Sequence, residues 1–382
     1  MKKSSFVFLS FFICVAGAQN VIAEVASAPD SWLLKKTGPA WWYTTKPSPQ
    51  PTELTQRVPN SAELDVISRA RALLANRPAK AIALVDGDEV VFSEFKAPAN
   101  AEAMFYGYSM GKTVTSMAVG KAICQGMLKL DTKSEQLVPE LKGKALGNAS
   151  VSDLLKMASG TSDTNSDSTI FAGDQYKEWF AGKLSYVDVL SSDRVATAKK
   201  GVFGDYKPGE QFSYKSTDPL LLSIMLSRAT GMGGGEWVQR EVLNPMGAAS
   251  PGLYEQDKDH QGQGSAGLSA TLDDWIRFGR WVKRSSKEPG CFGDYVRAAL
   301  STQIRNAGTV QTRKFGALFA GYGYYVWTEN QIAANTAWFV GYGGQRIGID
   351  LKSDRLMVVF SNLESWMPEV YEFADSWNKL SR

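Results

Sequence analysis

The sequence predicts an α+β fold, in which an antiparallel sheet flanked by helices carries an inserted helical lobe. Strand-like apolar runs occur near the start, at 81–85 and 90–95, and again near the end, at 336–361. From about 129 to 290 the pattern is mostly of helices and loops. Because strands at both ends of the chain bracket this stretch, we predict that it forms a lobe beside a shared sheet.

The main domain is predicted to span residues 61–382. Its α/β part comprises about 61–128 and 291–382, and the helical lobe lies between them. The preceding residues, 24–60, are rich in Pro, Thr and Trp, a composition that predicts an irregular arm packed across the domain.

Residues 1–23 have the features of a signal peptide. Lys2 and Lys3 precede an apolar run that is too short to span a bilayer, and small residues at 16–18 and 21–23 offer two cleavage sites. We therefore expect an exported bacterial protein, periplasmic or secreted, with no membrane anchor once the signal is cleaved.

Periodicity and turn signals predict the individual elements. A helix over 61–76 has one apolar face, and Asp86-Gly87-Asp88 predicts a tight hairpin between the first two strands. Residues 110–128 are apolar around much of the helix circumference, which predicts a helix in the middle of the protein. Further helices are predicted at 151–157, 219–229, 235–242, 272–283 and 368–380, and a strand meander at 336–341, 345–351 and 355–361.

Charge and histidine content argue against several classes of protein. The net charge is +3, two of the positive charges are Lys2 and Lys3, and no Lys/Arg cluster forms a basic face. We therefore expect no nucleic-acid partner. His260 is the only histidine, whereas hydrolytic zinc sites usually need two or three, so we expect neither a catalytic metal nor a cofactor.

Beyond the signal peptide the chain holds two cysteines, Cys124 and Cys291. Export would permit a disulfide, but the sequence leaves their pairing open. The simpler interpretation is a buried Cys124 on an apolar helix and an incidental Cys291.

The pattern Ser-x-x-Lys occurs three times, in different surroundings. The three copies are Ser93 with Lys96, Ser109 with Lys112, and Ser376 with Lys379. The first lies in an alternating strand, where residues three apart point to opposite faces, and the last lies on a terminal helix without glycines. Only Ser109 begins the buried helix, where it shares one face with Lys112.

Ser109 and Lys112 in this position fit nucleophilic catalysis. A serine hydroxyl is a weak nucleophile until a base removes its proton. Burial and the positive helix N-terminus both lower the pKa of a lysine, so we expect Lys112 to act as such a base. The alternative interpretation of an isolated match is a capping serine followed by a solvated lysine.

Two further segments carry candidate site residues. Tyr214 precedes an apolar helix that starts near Asp218-Pro219, a cap and a first-turn proline, so its hydroxyl is placed to enter a cleft as a second acid/base. It also fits a core aromatic. Glycines interrupt the apolar strand at 338–345, which is typical either of a bulge or of a backbone that a ligand approaches closely, with an N–H as oxyanion donor.

Taken in order, these segments resemble the serine β-lactamase and penicillin-binding superfamily. Its pattern is Ser-x-x-Lys on a buried helix, then Tyr-x-Ser or Tyr-x-Asn before another helix, then a glycine-rich edge strand. Residues 151–160 and 267–274 resemble two stretches of its class C β-lactamase-related hydrolases, and 341–345 is similar to 6-aminohexanoate-dimer hydrolases and related esterases. The resemblance covers about 62–380 and implies a β-lactamase/transpeptidase-like fold.

The resemblance also implies a role for each residue of the motifs. Ser109 would be the nucleophile of an acyl-enzyme mechanism, Lys112 its proton partner and Tyr214 the general base. Ser216 takes the third position of the tyrosine motif and would contact substrate. The chain would thus be an exported serine hydrolase, an esterase or amidase.

An oxyanion hole is implied as well, and the edge strand departs from the family pattern. The hole would use the N–H groups of Ser109 and of Tyr342, which follows Gly341, or of Gln345 if the glycines align differently. Phe339 stands where the family usually has the Lys or His of Lys-Thr-Gly or His-x-Gly. Because the cation that commonly binds a substrate carboxylate is missing, we expect a small ester, amide or peptide-like substrate and poor activity on penicillins.

Two other functions stay open from the sequence. Residues 107–111 also match the Gly-x-Ser-x-Gly elbow of α/β-hydrolases, an esterase type that would use Ser109 and His260. That fold needs a buried strand before the serine, and 101–106 is a poor strand. A catalytically inactive homologue that binds peptidoglycan fragments is the third possibility, against which the presence of all three candidate catalytic residues argues.

Overall fold

The computed structural model describes residues 38–161, 178–179, 181–192, 207–306 and 318–380. The predicted signal peptide and the first part of the predicted arm, through residue 37, lie outside these ranges. Within them, no helix is long and apolar enough to cross a membrane.

A nine-stranded sheet forms the centre of the protein and joins both ends of the chain. In spatial order its strands are β2 (Thr55–Gln56), β4 (Glu89–Phe95), β3 (Ala79–Asp86), β13 (Arg355–Ser361), β12 (Gln345–Asp350), β11 (Thr336–Gly341), β10 (Trp327–Asn330), β9 (Phe319–Tyr322) and β8 (Ile304–Arg305). Neighbouring strands are antiparallel except for the parallel pair β2 and β4. Because β3 pairs with β13, the strands predicted at the two ends of the chain form one sheet.

A smaller sheet of four strands has no clear signal in the sequence. Its order is β1 (Tyr43–Thr45), β6 (Gly252–Tyr254), β7 (Leu268–Thr271) and β5 (Met104–Tyr106). Strands of three or four residues carry too little alternation to be recognised. Since β1 belongs to the predicted irregular arm and pairs with β6, this part of the arm is fixed to the domain.

Helices form the lobe and cover the large sheet. In chain order they are α1 (Leu64–Asn76), α2 (Met110–Cys124), α3 (Ser134–Leu137), α4 (Val151–Leu155), α5 (Tyr186–Ser191), α6 (Thr217–Thr230), α7 (Gly234–Val238), α8 (Asn244–Met246), α9 (Leu272–Ser285), α10 (Cys291–Ala299) and α11 (Met367–Asn378). As predicted, α2 lies in the middle of the protein, and every residue from Met110 to Gly120 is buried. Its N-terminus therefore presents Ser109 from a rigid, fully packed element.

Two neighbouring residues of β11 show which helices lie on each face of the large sheet. The ring of Trp338 contacts Tyr371 of α11, with 4.8 Å between ring centroids. The ring of Phe339 contacts Phe278 of α9 at 5.7 Å. Because successive side chains of a strand point to opposite faces, α9 and α11 lie on opposite sides of the sheet.

The two cysteines form a disulfide, so the interpretation of Cys291 as incidental is wrong. Cys124 is the last residue of α2 and Cys291 the first of α10, and their Cα atoms are 5.7 Å apart. Their sequence separation of 167 residues gave no sign of this proximity. The bond fastens the C-terminal end of α2, the helix that begins after Ser109.

Removing this disulfide is expected to destabilise the protein without removing its active site. Loss of a native disulfide typically costs about 2–5 kcal/mol, which for a domain of this size lowers Tm by about 3–7 °C. We expect this decrease in the double variant Cys124→Ser/Cys291→Ser, measured by calorimetry. Dithiothreitol should lower the Tm of the wild type towards that of the variant and leave the variant unchanged; an equal response of both would contradict the prediction.

Candidate active site

Ser109 lies where β5 leads into α2, and two glycines let the chain pack tightly around it. A Cβ on Gly107 would lie 2.4 Å from the ring of Trp275, and a Cβ on Gly111 would lie 1.6 Å from the backbone oxygen of Ala266. Both distances are far below van der Waals contact, so any larger side chain would displace these neighbours. The Gly-x-Ser-x-Gly run is therefore explained by the packing around α2.

Lys112 is held against Ser109 in the protein interior. The lysine is 2% exposed, and its Nζ lies 2.9 Å from the Oγ of Ser109. Nζ also donates to the backbone oxygen of Ser265 at 2.7 Å, and Thr115, one turn further along α2, donates to the backbone oxygen of Gly264 at 3.0 Å. The Gly264–Ser265 backbone thus fixes the lysine and its helix in one position.

Tyr214 completes the predicted group. The Nζ of Lys112 lies 5.1 Å from the centroid of the Tyr214 ring, and Trp327 and Tyr322 pack on that ring at 5.2 and 6.3 Å. Ser216 is buried at the N-cap of α6, two residues further along. The fold thus brings Ser109, Lys112 and Tyr214 together from two helix N-termini.

Asp218 has a different place from the one predicted. Ser216 occupies the N-cap of α6, and Asp218 lies in the first turn, fully buried. Its carboxylate accepts hydrogen bonds from the Oγ of Ser159 at 2.6 Å and from the Ser159 N–H at 3.2 Å, and it pairs with the fully buried Lys215 at 3.5 Å. The carboxylate therefore ties the loop after α4 to the segment that carries Tyr214. Its sequence position suggested only a cap.

The C-terminal end of β11 lies directly beside the start of α2. A Cβ on Gly341 would be 2.3 Å from the backbone oxygen of Gly107, so the two backbones meet where only glycine fits. The next residue, Tyr342, is 53% exposed, and its ring lies 5.8 Å from that of Tyr108, the neighbour of Ser109. Gly341 and Tyr342 thus lie beside Gly107 and Tyr108, the two residues before Ser109, and the oxyanion role of the Tyr342 N–H stays a prediction.

Gln345 is fully buried, and its side chain stabilises the turn between β11 and β12. Its Nε2 donates to the backbone oxygens of Tyr342 at 2.7 Å and Ser361 at 3.0 Å, and its Oε1 accepts from the N–H of Ser361 at 3.0 Å. Because these contacts occupy the amide, the side chain of Gln345 has a structural role, and its backbone N–H stays the predicted alternative to that of Tyr342 in the oxyanion hole.

Phe339 lies in the core. Its side chain has no exposed surface and packs on Phe278, so it does not face substrate, although it stands where the family usually has a Lys or His. The alternation of β11 does give Phe339 and Gly341 the same face. A lysine at position 339 would therefore have to leave the core to reach substrate, and Phe339→Lys would bury a charge instead of simply adding a carboxylate partner.

The other tyrosines near the site stay protonated. Burial raises the pKa of Tyr106 well above its ordinary value, and Glu255, which accepts a hydrogen bond from this phenol at 3.0 Å, raises it further. Burial likewise raises the pKa of Tyr108, with added contributions from the charges of Glu255 and Tyr342. The pKa values of Tyr322 and Tyr325 are raised by burial as well. These four phenols are therefore poor proton acceptors at neutral pH.

His260 is linked through Gln256 to the N-terminal arm, which argues against the α/β-hydrolase interpretation. Its Nδ1 lies 2.8 Å from the Nε2 of Gln256, and the same Nε2 donates to the backbone oxygen of Trp41. The strand before Ser109, Met104–Tyr106, is an antiparallel edge strand of the small sheet, whereas that fold places its nucleophile after a buried strand. In the described part of the chain, no group of three or more His, Cys, Asp or Glu side chains is arranged to hold a metal ion.

Comparison with known proteins agrees with this arrangement. The model of the beta-lactamase family matches residues 66–376. The chain is 24% identical over 294 residues to the 6-aminohexanoate-dimer hydrolase of Paenarthrobacter ureafaciens, an alignment that covers 75% of this chain and 72% of that protein. It is 22% identical over 165 residues to penicillin-binding protein 4* of Bacillus subtilis (strain 168), which covers 42% of this chain and 33% of that protein, so the matched part spans a third of that relative.

The fold has close counterparts among solved structures. A Bacillus anthracis protein that carries the provisional name of 6-aminohexanoate-dimer hydrolase superposes with a TM-score of 0.68 at 18% identity, covering 94% of this chain and 95% of that one. At this identity the likeness concerns the fold, and it confirms the predicted β-lactamase/transpeptidase-like architecture.

Proposed function

This chain belongs to the beta-lactamase family of hydrolases, and we propose that it is a serine hydrolase that acts through an acyl-enzyme on small esters or amides. The observation that carries the proposal is the 2.9 Å contact between the Nζ of Lys112 and the Oγ of Ser109, made by a lysine that is 98% removed from solvent. A hydroxyl in contact with a buried amine is a recognised form of activated nucleophile.

In the proposed first step, the Oγ of Ser109 attacks the carbonyl carbon of the substrate. Its proton passes to the Lys112 and Tyr214 pair, and the carbonyl oxygen becomes an oxyanion facing the N–H groups of Ser109 and Tyr342. When the tetrahedral intermediate collapses, the bond to the leaving group breaks. The alcohol or amine leaves with the proton that the serine gave up, and the acyl group stays on Ser109.

In the second step, water takes the place of the leaving group. The same pair accepts a proton from the water as it attacks the acyl carbon, a second oxyanion forms, and the bond to Ser109 breaks. The proton returns to the Oγ of Ser109 and the carboxylic acid is released. No step requires a metal or an organic cofactor, because the two protein side chains handle each proton.

The substrate preference follows from the residues at the end of β11. Phe339 is buried in the core, and Tyr342, whose ring lies beside that of Tyr108, carries a neutral phenol, so neither supplies a cation for a substrate carboxylate. A charge-assisted hydrogen bond to such a carboxylate is worth about 1.5–3 kcal/mol, or roughly ten- to a hundredfold in specificity. We therefore propose uncharged esters or small amides as substrates; the relative named as a 6-aminohexanoate-dimer hydrolase supports the amide class.

A chromogenic cephalosporin is therefore expected to be a poor substrate. Its kcat/KM should be about ten- to a hundredfold below that of a short-chain nitrophenyl ester, because the carboxylate gains no ionic partner while it loses water. The matched control is the methyl ester of the same cephalosporin, assayed by opening of its ring. If the free acid reacts faster than its methyl ester, the site recognises the carboxylate and the proposed preference is wrong.

We also propose that the protein is exported to a bacterial periplasm or secreted. The charged and apolar pattern of residues 1–23 supports export, and so does the disulfide between Cys124 and Cys291, because such bonds persist in oxidising compartments. After expression of the full chain, cell fractionation should recover the processed, disulfide-bonded protein outside the cytoplasm. A full-length, reduced protein in the cytoplasmic fraction would contradict export.

A further inference from the structure

We propose that Arg346 is a positioning residue for catalysis, which orients the Tyr342 N–H of the oxyanion hole from the far side of the large sheet. This inference rests on the proposed function and extends it to a residue that does not touch substrate. Arg346 lies near the start of β12, directly opposite Val340 of β11. It is 3% exposed, an unusual place for a guanidinium unless its donors are occupied.

The guanidinium of Arg346 binds the ends of both strands. Its Nη1 donates to the backbone oxygen of Gly341 at 2.7 Å and to that of Gln345 at 2.9 Å. Its Nε donates to the phenol oxygen of Tyr371 at 3.1 Å, which places the group on the α11 face of the sheet. The Nη2 lies 3.9 Å from the carboxylate of Glu364. Arg346 is thus held by the Gln345 carbonyl, Tyr371 and Glu364 while it donates to the Gly341 carbonyl.

The bond to Gly341 sets the direction of the next N–H. The carbonyl of Gly341 and the N–H of Tyr342 belong to one planar trans peptide, in which the two groups point in opposite directions. A carbonyl held by Arg346 on the α11 side therefore turns the Tyr342 N–H away from that side. The opposite side is where Gly341 abuts Gly107, two residues before Ser109.

Two other contacts of the turn hold the next peptide, between Tyr342 and Gly343. Gln345 binds the carbonyl of Tyr342, and the carboxylate of Glu364 accepts the N–H of Gly343 at 3.2 Å. The peptide of Tyr342 and Gly343 thus has a partner at each end, and Arg346 holds the preceding peptide, which carries the Tyr342 N–H. A donor that needs no reorganisation when charge develops on the substrate is what makes an oxyanion hole effective.

The positive charge of Arg346 has a second effect. It lies behind the Gly341 carbonyl and polarises the peptide so that the Tyr342 N–H becomes a stronger donor. Both effects act on the oxyanion of the transition state and little on the neutral carbonyl of the substrate. The interaction should therefore appear in kcat and leave KM nearly unchanged.

The test compares Arg346→Met with Arg346→Lys in ester hydrolysis, with kcat expressed per Ser109 titrated by a fluorophosphonate. Removal of one oxyanion donor costs about 10²–10³ in kcat, and a misdirected donor should cost about ten- to a hundredfold. We expect that loss in Arg346→Met with KM within about twofold, and partial recovery in Arg346→Lys, which keeps a cation for the carbonyl. The Ki of a boronic acid that mimics the tetrahedral intermediate should rise by the same factor as kcat falls.

The matched control is Arg355→Lys. Arg355 is another buried arginine, on β13, whose Nη1 donates to the backbone oxygens of Trp377 at 2.9 Å and Leu380 at 2.5 Å. We expect Arg355→Lys to lower Tm without changing kcat or the boronate Ki per titrated Ser109. If Arg346→Met does not fold, Arg346→Lys is compared with Arg355→Lys, and we expect a several-fold loss of kcat in Arg346→Lys only.

The possible results separate this inference from the proposed function. If Ser109 is labelled and the wild type turns over, but the Arg346 variants keep the wild-type kcat and boronate Ki, the inference is wrong and the proposed function stands. Equal losses in the Arg346 and Arg355 variants would also overturn it, because both would then report general packing. If Ser109 is not labelled in the wild type, the proposed function and the inference both fail.

Discussion

Ser109→Ala is expected to abolish turnover, with kcat lowered by on the order of 10⁴–10⁶, because the variant lacks the oxygen that would form the acyl-enzyme. Its fold should be unchanged, since the hydroxyl makes no side-chain cap of α2. The measurement combines ester hydrolysis with mass spectrometry after a fluorophosphonate: the wild type should gain the mass of the probe on the peptide that contains Ser109, and the variant should not.

The chain supplies its own matched controls for this experiment. Ser93 on β4 and Ser376 on α11 are also followed by lysine three residues later, so Ser93→Ala and Ser376→Ala remove the same motif outside the site. Both should retain labelling and turnover. Undiminished labelling of Ser109→Ala would overturn the proposed function, and a wild type that never becomes labelled would favour a binding protein without catalytic activity.

Lys112→Met and Tyr214→Phe are each expected to lower kcat/KM by at least about a hundredfold, the usual effect of losing a general base. Methionine keeps most of the buried volume at position 112, and phenylalanine keeps the ring that Trp327 packs on, so the losses should be chemical. The double variant should be little worse than the poorer single one, because the two groups handle the same proton. Steady-state ester kinetics and circular dichroism together check both points.

His260→Ala separates this proton pathway from a histidine mechanism. The ring contacts Gln256 near the N-terminal arm, so we expect kcat/KM within about twofold of the wild type and at most a modest loss of stability. An inactive His260→Ala with an active Lys112→Met would reverse the assignment of the base and restore the α/β-hydrolase interpretation.

The parts of the site that the sequence predicts are those set by local geometry. Ser109 and Lys112 are neighbours on one helix, and the mostly apolar residues after them indicate that the helix is buried, so their contact could be predicted from this short stretch alone. Tyr214 needed the resemblance to a family, because nothing local indicates that the start of α6 meets the start of α2.

The features that the sequence misses depend on distant partners. Asp218 is predicted only as a cap, because its bond to Ser159 spans 59 residues and leaves no local pattern. Gln345 is predicted as an alternative N–H donor, and no local pattern indicates that its side chain binds Ser361 on the neighbouring strand. Phe339 lies on the same face of β11 as Gly341, but it is buried because Phe278 of α9 covers it. The alternation of a strand indicates which face of the sheet a side chain occupies. Only the folded structure shows which residues cover that side chain.

The pairing of β3 with β13 has a consequence for how the protein reaches its native state. β3 (Ala79–Asp86) and β13 (Arg355–Ser361) are far apart in the sequence, so the large sheet cannot close until the chain has been synthesised past Ser361. Closing so long a loop is entropically unfavourable and slows folding. We expect the helical lobe to become structured first and β3 to wait with an unpaired edge. During that interval the open edge of β3 is able to pair with other chains, so the unfinished protein is prone to aggregate and depends on chaperones.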